Sequence, residues 1–318
     1  MRFGFGVPTQ GLLATPPALK TLVTHGERLG FSLLSVSDHI VIPRTINSHY
    51  PYSTSGNFDP SSDGACLEQL TLLSFLAGQT STVRLLTSVM VLPYRNPVLA
   101  AKILASIDIL SNGRLILGCG AGWMREEFET LDSPPFDHRG SVSNEYIQVF
   151  RDLWANPNPT FSGKFVQYSN IAFAPKPAQP EGPPIWVGGE SPAALRRAGR
   201  LGDAWYPIGS NPQYPLYEPA KLRNSIDVVR KHAEQAGRDP DKISFAYSAG
   251  WNDLSAEQVS PDGSRLVLTG SADAVASDIH AFSQMGVTEM TLGFPGTTLE
   301  ERMERMSHFA TEVMPLTS

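Results

Sequence analysis

The 318-residue chain is poor in cysteine: only Cys66 and Cys119 occur, far apart in sequence. Two isolated thiols supply no disulfide framework and none of the paired spacings of a zinc site, a usage that suits a reducing cytoplasm. The seven histidines share no ligand spacing, so no metal is expected. Charged residues are few, at 18%, and the formal net charge of -6 comes without a run of Lys or Arg. That balance argues against a nucleic-acid or anionic-membrane partner and leaves small molecules as the expected ligands. No stretch is apolar for long enough to span a bilayer, and Met1–Val7 lacks the basic-then-apolar order of a secretion signal, so a soluble, cytoplasmic protein is expected.

What the chain has is alternation. Eight β-rich runs, Arg2–Val7, Ser32–Ser37, Val83–Leu92, Arg114–Cys119, Ile185–Gly188, Ala204–Ile208, Ile243–Ser248 and Glu289–Phe294, alternate with helical patterns almost throughout. Strands joined by crossover helices form parallel sheet, and the length fits a single α/β domain over 1–318, a TIM (β/α)8 barrel with insertions. Helix starts are marked by Thr15-Pro16-Pro17, whose helix ends at Gly30, by Asn96-Pro97, by Ser191-Pro192, and by Thr298 with Glu301 as a capping box. Two regions interrupt the rhythm. Ile42–Asp63, rich in Pro, Ser, Tyr, Asn and Gly, reads as a long loop on the catalytic face that could act as a lid. Residues 123–184 read as a large insertion between strands 4 and 5, with a helix over 144–154, a hairpin at Ser162-Gly163-Lys164 and a Pro-rich return.

Ser37-Asp38-His39 closes the apolar run Phe31–Val36, which puts a carboxylate and an imidazole at a strand end, where barrel enzymes carry their chemistry. His39 is the candidate proton donor or acceptor, with Asp38 to orient it. In Ile185–Pro192 a strand runs through Gly188-Gly189 into a helix start, an arrangement that can hold a phosphate if the Glu190 carboxylate points away; a tight strand-to-helix turn would use the same glycines. Gly118-Cys119-Gly120-Ala121-Gly122 departs from the dinucleotide fingerprint, since Trp123–Phe128 and Pro134-Pro135 follow it. A glycine loop giving a flat ring system close access is the better account. Glu126 and Glu127 also fit a solvated helix face, and Trp123 a core plug. Arg139 and Glu145 are within reach for a structural ion pair. Trp186, Trp205 and Tyr206 would either face a ring-shaped ligand or pack.

Several of these motifs occur in the order and spacing of one family. Ser37–Pro43, Leu92–Pro97, Ser111–Trp123, Arg125–Phe128, Trp186–Pro192 and Gly202–Trp205 together resemble the luciferase-like monooxygenase superfamily, and within it the coenzyme F420-dependent oxidoreductases. The resemblance covers nearly the whole chain. It implies a barrel, usually a homodimer, that holds a deazaflavin at its C-terminal mouth and exchanges hydride with an organic small molecule. His39 would lie near the reactive ring face, Gly188 and Gly189 at the cofactor phosphate, Gly120, Ala121, Gly122 and Trp123 along the site, and Ser88-Val89 would form a non-proline cis bond behind the ring. In the related deazaflavin-dependent sugar-phosphate dehydrogenases a tryptophan follows the histidine by four positions and a glutamate serves as acid after the glycine loop. Here those positions are Pro43 and Trp123, so a sugar phosphate is not implied and Glu126 is left as the candidate acid. Two alternatives share the fold: an FMN-dependent monooxygenase served by a partner flavin reductase, and a barrel that binds flavin or deazaflavin without turnover.

Overall fold

The strands are short, and their side chains alternate between two apolar environments. The computed structural model describes residues 1–58, 64–260 and 263–317. Along the chain run β1 (Arg2–Gly6), α1 (Pro16–Arg28), β2 (Leu33–Val36), α2 (Gln69–Ala77), β3 (Arg84–Thr87), β4 (Met90–Val91), α3 (Pro97–Leu110), β5 (Leu115–Gly120), α4 (Arg125–Thr130) and α5 (Arg139–Ala155). They are followed by β6 (Phe161–Ser162), β7 (Gln167–Tyr168), β8 (Ile185–Gly188), α6 (Pro192–Leu201), β9 (Ala204–Tyr206), α7 (Pro219–Gln235), β10 (Ser244–Ala249), α8 (Ala272–Gln284), β11 (Val287–Leu292) and α9 (Leu299–Glu312). The large sheet has the order β3-β2-β1-β11-β10-β9-β8-β5-β4, and β3 also pairs with β5, Leu85 opposite Leu115, which closes the ring. With β3 and β4 as two halves of one strand, this is an eight-stranded parallel barrel, the expected TIM-barrel-like α/β fold.

Leu33, Leu86, Ile116, Trp186, Ala204, Tyr206 and Ala246 fill the barrel interior as one cluster. Their neighbours Leu34, Leu85, Leu115, Leu117, Ile185, Val187 and Trp205 point outward into the larger core beneath the helices. This period-two switch explains why the strands read as continuous apolar runs: both faces are buried. Trp186, Trp205 and Tyr206 therefore pack, which resolves the two readings their sequence allowed. Fully burying side chains such as Leu85 or Ile185 contributes about 1.5–3 kcal/mol each.

The helix starts follow their sequence signals. The Asn96 side chain accepts from the Val98 and Leu99 amides, Ser191 accepts from Ala194, and Thr298 with Glu301 forms a full capping box. Thr15 makes no side-chain cap; Pro16 and Pro17 start α1, and Gly30, at φ +89, follows its end. Three expectations need correction. The run Val83–Leu92 is not one strand: it breaks between β3 and β4 at a cis Ser88-Val89 bond, which the family resemblance implied. The helix in the segment after β5 starts at Arg139, five residues before the expected start at 144. Arg139 and Glu145 do not pair: Glu145 accepts from the Lys164, Phe165 and Val166 amides, at 2.9, 2.7 and 2.7 Å. Those amides bend through the β6–β7 hairpin and have no ladder partners, so a carboxylate satisfies them better than a distant arginine would use it. Arg139 instead lies over the Phe136 ring, 3.9 Å from its centroid, and donates to the Gly122 carbonyl.

A third excursion, beyond the two expected interruptions, follows β10. It is held by the bridge between Asp253 and Thr269, by Trp251 Nε1 donating to the Val267 carbonyl, and by an Arg265–Asp278 ion pair to α8 at 2.6 Å.

Candidate active site

At the C-terminal ends of the strands lies a cavity of about 680 Å³. Asp38, His39, Ser88, Val89, Gly120, Ala121, Gly122, Trp123, Gly188, Gly189 and Glu190 all line it; of the expected site residues only Glu126 does not. The topology brings them together because β2, the β3–β4 break, β5 and β8 all end on this face.

His39 sits on the wall with its side chain 19% exposed, and its Nδ1 lies 2.8 Å from Oε2 of Glu127. Glu127 is fully buried and is also met by the Ile40 amide at 2.7 Å, the Val41 amide at 3.2 Å and the Tyr94 hydroxyl at 2.9 Å. Burial, reinforced by the Glu127 carboxylate, pushes the Tyr94 phenol far above its usual range, so it remains a donor. A carboxylate ringed by donors takes its fourth hydrogen bond from Nδ1–H. In the neutral ring this puts the proton on Nδ1 and leaves Nε2 as the bare nitrogen, and Nε2 has no hydrogen-bond partner among the described residues.

Asp38 is therefore not the orienting group. Its side chain is fully buried and takes both terminal nitrogens of Arg95, at 2.8 and 2.7 Å, and the Val91 amide at 2.9 Å. The planar fork of Arg95 matches a carboxylate in a way an imidazole does not. Arg95 also holds Glu68, which caps α2 through the Thr71 amide. Asp38 thus ties the end of β2 to the chain after β4 and to α2, and places His39 through the backbone.

Glu126 is corrected as well. Its carboxylate accepts from the Asn47 amide and from the Ser48 amide and hydroxyl, at 2.7, 3.0 and 2.7 Å. Partial burial acts against ionisation, but these hydrogen bonds outweigh it and hold the group below its usual range. It anchors the long loop and does not face the cavity. The sequence missed Glu127, although one signal separates the two acids. On a helix Glu127 lies about 100° from the inward anchor Phe128 and Glu126 about 200°.

The anchored loop brings aromatic rings over the site. Tyr50 and Phe58 lie 5.0 and 5.3 Å from the Trp123 ring, centroid to centroid, and Phe58 lies 5.2 Å from His39. Tyr52 packs edge-on against Tyr50. Residues 59–63 of this loop lie outside the described residues.

The glycines have reasons of their own. A Cβ at Gly120 would stand 2.7 Å from one Val89 methyl, and a Cβ at Gly188 would stand 2.8 Å from the other. Val89 is wedged between them, so both positions require hydrogen as side chain. Gly189 adopts φ +98, a conformation other residues avoid. Beyond it, Ser191, Ala193 and Ala194 present the first turn of α6 to the cavity. Burial raises the Glu190 carboxyl above its usual range, although the Ile208 amide and the Asn211 side chain, both at 2.8 Å, bind it on the side toward β9.

The sequence matches the luciferase-like monooxygenase family over residues 1–251, and the chain belongs to that family. An uncharacterized protein of Mycobacterium tuberculosis is 33% identical over 217 residues, 68% of this chain and 72% of that protein. An FMNH2-dependent dimethylsulfone monooxygenase of Pseudomonas fluorescens is 28% identical over 282 residues, 76% of this chain and 75% of that one. Among solved structures, an F420-dependent secondary alcohol dehydrogenase in complex with an F420-acetone adduct superposes with a TM-score of 0.77 at 18% identity, covering 100% of this chain and 99% of that one. At that identity the likeness shows the fold alone. The family is one of oxidoreductases; its FMNH2-dependent member above is a sequence relative, whereas F420-dependent enzymes are found among the solved structures that share the fold. No helix among the described residues is long and apolar enough to cross a membrane.

The site fits a ring system that carries a phosphate. The missing Cβ atoms at Gly120 and Gly188 let Val89 stand at the cavity wall, where a flat ring can lie against it, and the first turn of α6 offers the Ala193 amide and a partial positive charge to an anion.

Proposed function

We propose that this protein transfers hydride between coenzyme F420 and an organic small molecule, with the deazaflavin seated in the cavity at the barrel mouth. The observation that carries the reading is His39, held through Nδ1 by the buried Glu127 with Nε2 free at the cavity wall. When bound, the deazaflavin supplies a two-electron hydride carrier. The protein's part is to bind, orient and shield. Val89 and Ser88 back the ring, Gly188, Gly189 and the α6 turn receive the phosphate, and Tyr50, Tyr52, Phe58 and Trp123 exclude water. Bare Nε2 of His39 would take the hydroxyl proton as an alcohol gives up hydride, and the imidazolium so formed would return that proton to the oxygen when a carbonyl accepts hydride. Asp38 acts as a positioning residue through Arg95, and Glu126 as the anchor of the aromatic loop.

The fold shared with an F420-dependent alcohol dehydrogenase supports this reading. The FMNH2-dependent relative supports a second one, a monooxygenase fed by a flavin reductase. Anaerobic incubation with F420 and a panel of secondary alcohols and ketones separates them. Hydride exchange seen in the deazaflavin absorbance, and lost in His39→Ala with cofactor binding retained, supports the proposal. Oxygen consumption with reduced FMN, and no exchange with F420, moves the function to the monooxygenase.

A further inference from the structure

Beside the main cavity lies a second groove of about 330 Å³, and Gly140, Ala193 and Arg197 line both. The groove is lined further by Arg196 and Arg200 of α6 and by the polar side chains of Ser141, Asn144 and Gln148 of α5, with no acidic residue among its walls. Arg196 and Arg200 stand one helical turn apart, both exposed, and neither makes an ion pair or hydrogen bond among the described residues. Arg197, only 7% exposed, uses Nε on Asn144 and Nη2 on the Gly140 carbonyl, and its Nη1 has no partner among the described residues. A helix shaped for stability alone would carry acids in its first turn; α6 has none there and follows it with two arginines. In a chain of net charge -6 this is a local reversal of sign, continuous with the place where the cofactor phosphate is proposed to sit.

We propose that this groove is an anion subsite for a carboxylate-bearing chain that continues outward from the cofactor phosphate. Resting on the deazaflavin reading, the occupant is the oligoglutamate tail of F420, which FMN lacks. Arg197 bridges the two compartments, while Arg196 and Arg200 meet successive carboxylates. Because both guanidiniums are solvent-exposed, their contribution is modest and screened by salt.

The test uses the full-length protein and three probes: F420 carrying several glutamates, the same deazaflavin phosphate without glutamates, and FMN. Affinities are read by fluorescence quenching and calorimetry for wild type and for the double variant Arg196→Gln/Arg200→Gln. The expected result is an affinity about tenfold lower for glutamylated F420 in the double variant at low salt, with the glutamate-free form unchanged and the wild-type advantage of the tail fading as salt rises. An equal loss for the glutamate-free form would place the two arginines at the phosphate and overturn the tail assignment. Undiminished binding of glutamylated F420 would also overturn it, leaving the deazaflavin reading intact. Failure of wild type to bind either deazaflavin would remove the cofactor reading itself, and the tail assignment with it.

Discussion

Replacing Glu127 with glutamine tests the tautomer of His39 without any need to know the substrate. The carboxylate accepts from four groups, and the amide keeps one acceptor oxygen, which stays with the Ile40 and Val41 amides because backbone cannot turn away. Its NH2 then faces His39 Nδ1 and the Tyr94 hydroxyl. Two hydrogen bonds to a carboxylate, at about 1.5–3 kcal/mol each, bound the loss at about 6 kcal/mol. Rotation of the Tyr94 hydroxyl and reversal of the imidazole tautomer re-form both as neutral contacts, so the expected cost is about 2 kcal/mol by urea denaturation. The sharper signature is the tautomer. With ring-15N-labelled histidine, the neutral ring of His39 in wild type shows the proton at Nδ1 and a bare Nε2, and Glu127→Gln shows the reverse. A proton acceptor presented in the wrong tautomer should slow turnover by about 10²–10⁴. A neutral wild-type ring carrying its proton on Nε2, or a variant with unchanged ring shifts, would refute the reasoning.

Three further perturbations probe the scaffold of the site. Gly188→Ala sets a Cβ 2.8 Å from a Val89 methyl and should cost about 1–3 kcal/mol, relieved when Val89 is also changed to alanine; a neutral single variant would show that Val89 is not wedged there. Arg95→Met strands the buried Asp38 carboxylate and should cost about 3–5 kcal/mol in chemical denaturation, with a loss under 1 kcal/mol counting against the Asp38–Arg95–Glu68 tie. Burial raises the Glu190 carboxyl, so the folded protein holds that proton more tightly than the unfolded chain does. Its contribution to stability is therefore greatest in acid and falls as pH rises from 4.5 through the folded value. Glu190→Gln should melt above wild type near neutrality, and the gap should close toward pH 4.5; a gap that widens in acid would contradict the assignment.

The barrel was legible in sequence because strands buried on both faces and helices with strong caps leave local marks, such as Ile185–Gly188 followed by Ser191-Pro192. His39 was legible for a similar reason, standing at the end of one apolar run. Its partner was not: Glu127 lies 88 positions away and only folding sets the two side by side. Adjacency in sequence favoured Asp38, yet the bidentate fork of Arg95, itself 57 positions from Asp38, claims that carboxylate. The glycines were seen, but their cause was hidden, since it is the Val89 side chain from another strand that excludes a Cβ at Gly120 and Gly188. The excursion after β10 carries a turn signal, Ser260-Pro261-Asp262-Gly263, but its attachment to α8 through Arg265–Asp278 is set only by folding.

The central claim is the cofactor, and calorimetric titration of the purified protein with coenzyme F420 and, in parallel, with FMN tests it most directly. The account predicts that F420 binds at least about tenfold more tightly, a difference of about 1.4 kcal/mol. Tighter binding of FMN would contradict it and give the barrel to oxygen chemistry.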